Sequence, residues 1–131
     1  MRKRLDTRSE RGQTMVEFAL VAPLLLVIVF AVIQFGILYN SYVTITDAAR
    51  TGARKAAVSR LAASPAGAAE AAARASASGL DQTKLAVSVT ATAWEHGADV
   101  TVETRYPYEI NLLGWVAASG SLKSATTERV E

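Results

Sequence analysis

Polar side chains disappear from the chain at Phe18 and do not return until Gln34. The intervening FALVAPLLLVIVFAVI is sixteen residues long, and after Gln34 the apolar run resumes as FGILY to Tyr39. As a helix, the 22 residues from Phe18 to Tyr39 reach about 33 Å, against a bilayer hydrocarbon core of about 30 Å. A helix lying on a water-soluble domain shows a polar stripe at a period of 3.6 residues. No such stripe exists here, so the pattern predicts a transmembrane helix over residues 13–40 embedded in membrane lipid, with Tyr39 and Tyr42 at its exit as interfacial aromatics. A secretory signal is the rival reading. Its apolar stretch is usually about 7–15 residues and closes on a small-x-small site; this stretch is longer, and Gln34-Phe35-Gly36 offers no such site.

Past the exit, the period of an amphipathic helix appears over residues 41–63. Val43, Ala49, Ala53, Ala56, Ala57 and Leu61 form its apolar side, with Arg50, Arg54 and Lys55 opposite. One helix is expected from about Thr14 to about Ala62, its first half in lipid and its second half packed on a domain. Pro23 should kink it, because proline lacks the amide that would bond the Ala19 carbonyl. Gly52 reads as a weak point.

Residues 64–131 read as a separate α+β body. Ser64-Pro65 is an N-cap followed by proline at the first helical position, and it opens an alanine-rich helix over 65–78. Glu70 and Arg74 are spaced i,i+4 there, and Gly79 is the expected closure. The period then falls to two. Leu85, Val87, Val89, Ala91 and Ala93 alternate with polar or small residues up to Trp94. A turn centred on Gly97 follows, and Val100, Val102, Thr104 and Tyr106 share the face of a second strand, with Pro107 confining its end to a sheet edge. Ile110–Val116 is expected as a short helix or loop covering the sheet, with a core around Trp94, Trp115 and Ile110. Ser121–Val130 is expected as a last strand. The fold class is therefore α+β: a long N-terminal helix, transmembrane then amphipathic, packed on a small antiparallel sheet.

Composition narrows the chemistry. The chain of 131 residues has no cysteine and one histidine, which removes disulfides, thiolate sites, cysteine nucleophiles and multi-histidine zinc centres. The formal charge is only +2, and basic residues are not interleaved with aromatics, so nucleic acid is not an expected partner. His96, Glu95 and Asp99 read as a solvated hairpin tip. The chain holds no GxxxxGK, no GxGxxG opening a helix and no GxSxG. No enzyme activity, cofactor, metal or small-molecule substrate is expected. The charge is also uneven. Residues 1–12 hold five bases against two acids, a net of +3, which leaves −1 for the remainder. This basic leader should stay cytoplasmic and the C-terminal body should cross the membrane. Arg50, Arg54, Lys55 and Arg60 oppose that orientation, but they start eleven residues beyond Tyr39 and so count less.

One constellation carries information beyond topology. Glu17 sits at the start of the apolar run, where an acid is costly: about 2.5–3.5 kcal/mol at the bilayer centre and less near the interface. One explanation places Glu17 in the first turn of the helix, where the dipole stabilises an acid by about 0.3–1 kcal/mol. Another gives it a partner: a cut after Gly12 creates a new amino terminus at Gln13, and in a bundle of such helices one subunit's ammonium pairs with another's carboxylate.

The segment RGQTMVEFALVAPLLLVIVFAVIQFG (Arg11–Gly36), followed by DAARTGARKAA (Asp47–Ala57) and a closing ATTERVE (Ala125–Glu131), resembles the TadE-like family of tight-adherence (Flp) pilus assembly pseudopilins, within the wider type IV pilin-like signature. The resemblance implies a pilin-like fold and a minor, membrane-held protein that takes part in pilus assembly. It implies processing by a prepilin peptidase between Gly12 and Gln13, and Glu17 as the assembly acid. Other pilin-like subunits and the assembly machinery would be its partners. The cytoplasmic (inner) membrane would be its location. The alternative is an uncleaved single-pass anchor whose outer domain binds another envelope component; a secreted soluble enzyme is a third class.

Overall fold

A computed structural model describes residues 7–131, with side chains from Gly12 onward; most of the basic leader expected over residues 1–12 lies outside the described residues or side chains. Helix α1 runs Thr7–Ala57 and α2 runs Pro65–Ser76, followed by strands β1 (Ala86–Ala91), β2 (Asp99–Leu112) and β3 (Trp115–Arg129). The sheet is antiparallel in the order β1-β2-β3. The α+β arrangement expected from the pattern is the one observed.

Helix α1 has 51 residues, about 77 Å of rod, and its two halves differ in surroundings. From Gly12 to about Tyr39 nearly every side chain is exposed. In the second half Ile45, Ala48, Ala49, Ala53 and Ala56 are fully buried, at i, i+3, i+4, i+8 and i+11, a spacing that puts them on one face. Arg50, Arg54 and Lys55 point away as expected. The helix ends at Ala57 rather than near Ala62, and the Glu131 amide donates to the Ala57 carbonyl at 3.0 Å. The apolar side is correspondingly shorter than expected: Val43 is 41% exposed and Leu61, beyond the helix, is 90% exposed. Helix α1 runs through Pro23 without a break.

Helix α2 starts as its sequence implies. Ser64 Oγ accepts the Gly67 amide at 3.2 Å, and Pro65 occupies the first turn. It ends at Ser76, with Ala77 as the cap at φ −101° and ψ 27°, a negative φ that needs no glycine. Gly79 is thus not its closure; it lies three residues past the helix and is absent from the positive-φ glycines. Arg74 pairs with Glu70 at 3.0 Å, as the spacing predicts, and its Nη1 also donates to the Leu85 carbonyl at 3.0 Å. One guanidinium therefore ties α2 to the start of β1.

Both helices lie on one face of the sheet, which supplies Val100, Val102 and Thr104 to the core, joined by Leu85 and Val130. The helix contribution is mostly alanine, which lets the backbones approach closely. Gly52 belongs to this contact rather than being a flaw in it. A Cβ there would stand 3.0 Å from Ala73 Cβ, 3.1 Å from Val102 Cγ1 and 3.2 Å from the Ala69 carbonyl oxygen.

The segment Ile110–Val116 departs from expectation. It is neither a helix nor a covering loop but the tip of the β2–β3 hairpin. The last pair is Leu112↔Trp115, leaving Leu113-Gly114 as a two-residue turn. Both turn residues have positive φ, 51° and 89°, as a type I′ turn demands. A leucine there costs about 1–2 kcal/mol relative to a right-handed conformation. The expected core around Trp94, Trp115 and Ile110 is also corrected. Trp115 is 82% exposed, while Trp94 and Ile110 are only partly buried. The core instead centres on Ile45, Val100, Val102 and Val130. Strand β2 is central as far as Arg105, which pairs with the first residue of β1, Ala86; beyond it β2 and β3 form a two-stranded arm, so Pro107 does lie where one flank is open.

Candidate functional site

The residues singled out at the start of the apolar run lie together on the bare half of α1. Gly12 is open: among the described residues, nothing beyond its chain neighbours and the adjoining helix backbone lies within 4 Å of where its Cβ would be. One turn separates Gln13 from Glu17, and the Gln13 amide Nε2 donates to Glu17 Oε1 at 3.4 Å. Both side chains are exposed. Because α1 already begins at Thr7, Glu17 sits ten residues inside it. The explanation that put Glu17 in the first turn of the helix fails for this chain, since the dipole's influence fades beyond the terminal turn. A helix starting at Gln13 would bring Glu17 close to such an end.

Above this point the helix is apolar around its whole circumference. Phe18, Leu20, Leu24, Phe30, Ile33 and Phe35 are all substantially exposed. The most apolar stretch of this half is wholly uncovered. This helix is long and apolar enough to cross a membrane. Burying each such side chain is favourable by about 1.5–3 kcal/mol, so the rod needs an apolar surrounding.

The arm formed by β2 and β3 folds back along α1 toward this bare region. Thr104 Oγ1 donates to the Ile45 carbonyl at 2.8 Å, and further down Gln34 Nε2 donates to the Asn111 carbonyl at 3.1 Å. Between these two bonds, Gln34, Ile37, Leu38 and Ser41 face Tyr106, Tyr108 and Ile110 across a groove of about 180 Å³. Tyr108 lies over Gly120, whose Cβ position is 3.0 Å from the ring; the glycine makes room for the aromatic across the strand pair. Gln34, the one polar break in the apolar run, therefore has a backbone partner. That pairing was not foreseen, although an isolated amide in an apolar run was the signal for it.

His96 is exposed at the β1–β2 turn, where Gly97 has φ 88°. Among the described residues no group of three or more His, Cys, Asp or Glu side chains is placed to hold a metal. Two acids outside the apolar half are held below the usual carboxylate range. Asp81 Oδ1 accepts the Thr83 hydroxyl at 2.6 Å and the Thr83 amide at 3.0 Å, and the Arg105 guanidinium donates to Glu103. Both belong to local turn and strand structure rather than to a reactive centre.

Comparison with curated proteins and with solved structures finds no match. The closing ATTERVE that contributed to the resemblance lies outside the matched family segment, but the two N-terminal blocks fall almost wholly within it. Residues 12–54, from the open Gly12 through the apolar run to the small-residue contact around Gly52, match the family model described as TadE-like protein.

Proposed function

We propose that this chain is a minor, pilin-like (pseudopilin) protein that takes part in assembly of a tight-adherence (Flp) type IV pilus. Its role is structural and interactive rather than enzymatic. The first half of α1 holds it in the cytoplasmic membrane, with the basic leader inside and the α+β body outside. A prepilin peptidase hydrolyses the Gly12–Gln13 amide, leaving a carboxylate on Gly12 and an ammonium on Gln13. Glu17, relieved of its position inside a longer helix, then pairs with the Gln13 ammonium of a neighbouring subunit, and the apolar surfaces of α1 pack against those of other pilin-like helices.

The observation that carries this reading is the position of Gly12, Gln13 and Glu17 at the foot of an uncovered apolar helix, in the segment that matches the TadE-like model. Mass spectrometry of the membrane-held protein is the test. The expected chain begins at Gln13; a chain retaining Met1 in cells with active peptidase overturns processing. Glu17→Val should leave insertion and cleavage intact and abolish assembly, and normal pili from that variant would remove Glu17 from the mechanism.

A second reading, an uncleaved single-pass anchor with an extracytoplasmic interaction domain, is favoured by one feature: α1 is helical from Thr7 across Gly12 without a break. A scissile bond in a helix must be unwound before a peptidase can reach it. The same mass measurement separates the two readings.

A further inference from the structure

The β2–β3 arm carries an apolar tip with nothing covering it. Leu113 is 67% exposed, Trp115 82% and Val116 60%. From Ile110 to Leu122 no side chain is charged, while Glu109 and Lys123 flank the stretch. The turn keeps Leu113 at φ 51°, where asparagine would be the comfortable residue; an aqueous hairpin gains nothing from that choice.

The height of the tip relative to α1 is set by two hydrogen bonds. Thr104 meets α1 at Ile45, and Asn111 meets it at Gln34. The arm therefore descends α1 toward the apolar half as its own numbering rises. Gln34 lies five residues inside Tyr39, about 7.5 Å along the helix axis, and the turn lies beyond Asn111 again. At that height the helix itself exposes Phe30, Ile33 and Ile37.

We propose that the tip of the β2–β3 hairpin, Leu113, Trp115 and Val116, is a second membrane contact that dips into the headgroup–acyl boundary of the same lipid bilayer that α1 crosses. This rests on the reading of α1 as a membrane span. A tryptophan beside uncharged aliphatic residues suits that boundary, where an amphipathic ring holds its apolar body in the acyl region and its indole N–H in the polar layer. The hairpin also suits the boundary better than the hydrocarbon interior. Its open strand edges require water or headgroup partners, which the interior denies them, whereas a depth of about 5–10 Å keeps those partners within reach. Two attachments, α1 and the tip, fix the tilt and rotation of the body on the membrane, which one helix passing through lipid cannot do alone.

The test uses the full chain reconstituted in phosphatidylcholine vesicles, with and without lipid brominated near the upper end of the acyl chains, and with iodide on both sides of the bilayer. The chain has two tryptophans, so Trp94→Phe isolates Trp115, and the wild type compared with Trp115→Phe gives the same information should Trp94→Phe fail to fold. The expected result is loss of most Trp115 emission to the brominated lipid, a blue-shifted spectrum and little quenching by iodide. Strong iodide quenching without bromolipid quenching places the tip in water and overturns the proposal. Protection from both quenchers places the tip against a second copy of the chain and overturns it equally. Alkaline carbonate treatment of the same vesicles separates the two levels. Retention of the chain with an unquenched Trp115 sinks the tip contact alone, while release of the chain sinks the span and the tip contact together.

Discussion

Thr104 Oγ1 donates to the carbonyl of Ile45 at 2.8 Å, joining the middle of β2 to α1 across a sequence separation of 59 residues, with both residues fully buried. The Ile45 carbonyl lies within the helix, so the hydroxyl adds a bond where most core contacts are apolar. This bond holds the sheet at a definite height on the helix, and the arm below it inherits that height.

Thr104→Val keeps the volume of the side chain and removes the donor. The expected loss is about 1 kcal/mol, the net worth of one hydrogen bond whose acceptor lies in an intact helix. Thermal unfolding in detergent, followed by the far-ultraviolet signal of the sheet, measures it. An unchanged midpoint would show that packing alone sets the height.

Gly52→Leu forces a large side chain into a site where a single Cβ already stands 3.0 Å from Ala73 and 3.2 Å from the Ala69 backbone. Neither neighbour can swing aside as a flexible side chain would. A net loss of about 1–3 kcal/mol is expected, even after the better helix propensity of leucine is counted. Limited proteolysis at the α1–α2 connection should rise in parallel.

Arg74→Lys keeps the charge but loses the fork that reaches Glu70 and the Leu85 carbonyl together. The expected cost is about 1 kcal/mol, and amide exchange should quicken at the first residues of β1. Glu70→Gln should cost less, since that ion pair is partly exposed.

The turn before β1 should loosen in acid. The Thr83 hydroxyl and amide hold the Asp81 carboxyl below its usual range, so the folded value lies under the unfolded one. The contribution is therefore present at neutral pH and is lost as pH falls from the usual aspartate range through the lowered folded value. Amide exchange at Thr83 measured against pH should show that loss, and Asp81→Asn should remove the dependence at this site.

Some of this protein was legible from local pattern because the physics is local. An apolar run without a polar face implies one long helix needing an apolar surrounding wherever its neighbours lie. Ser64-Pro65 starts α2 through capping bonds within four residues. The alternation Val100, Val102, Thr104 assigns the buried face of β2 through the geometry of the strand alone. The open Gly12 and the Gln13–Glu17 spacing are likewise properties of one stretch of helix.

Tertiary structure decided what depends on partners distant in sequence. Ile110–Val116 has the composition of a covering element, yet pairing with β3 extends it into an arm and leaves Trp115 outside the core. Gly52 is a helix weakness by propensity and a close-contact residue once α2 is laid across it. Gln34 is an isolated amide in an apolar run until Asn111 arrives from 77 positions away. A residue's period specifies which way it faces on its own element. What it meets there follows from how the elements pack, and that packing brings together side chains that no spacing along the chain connects.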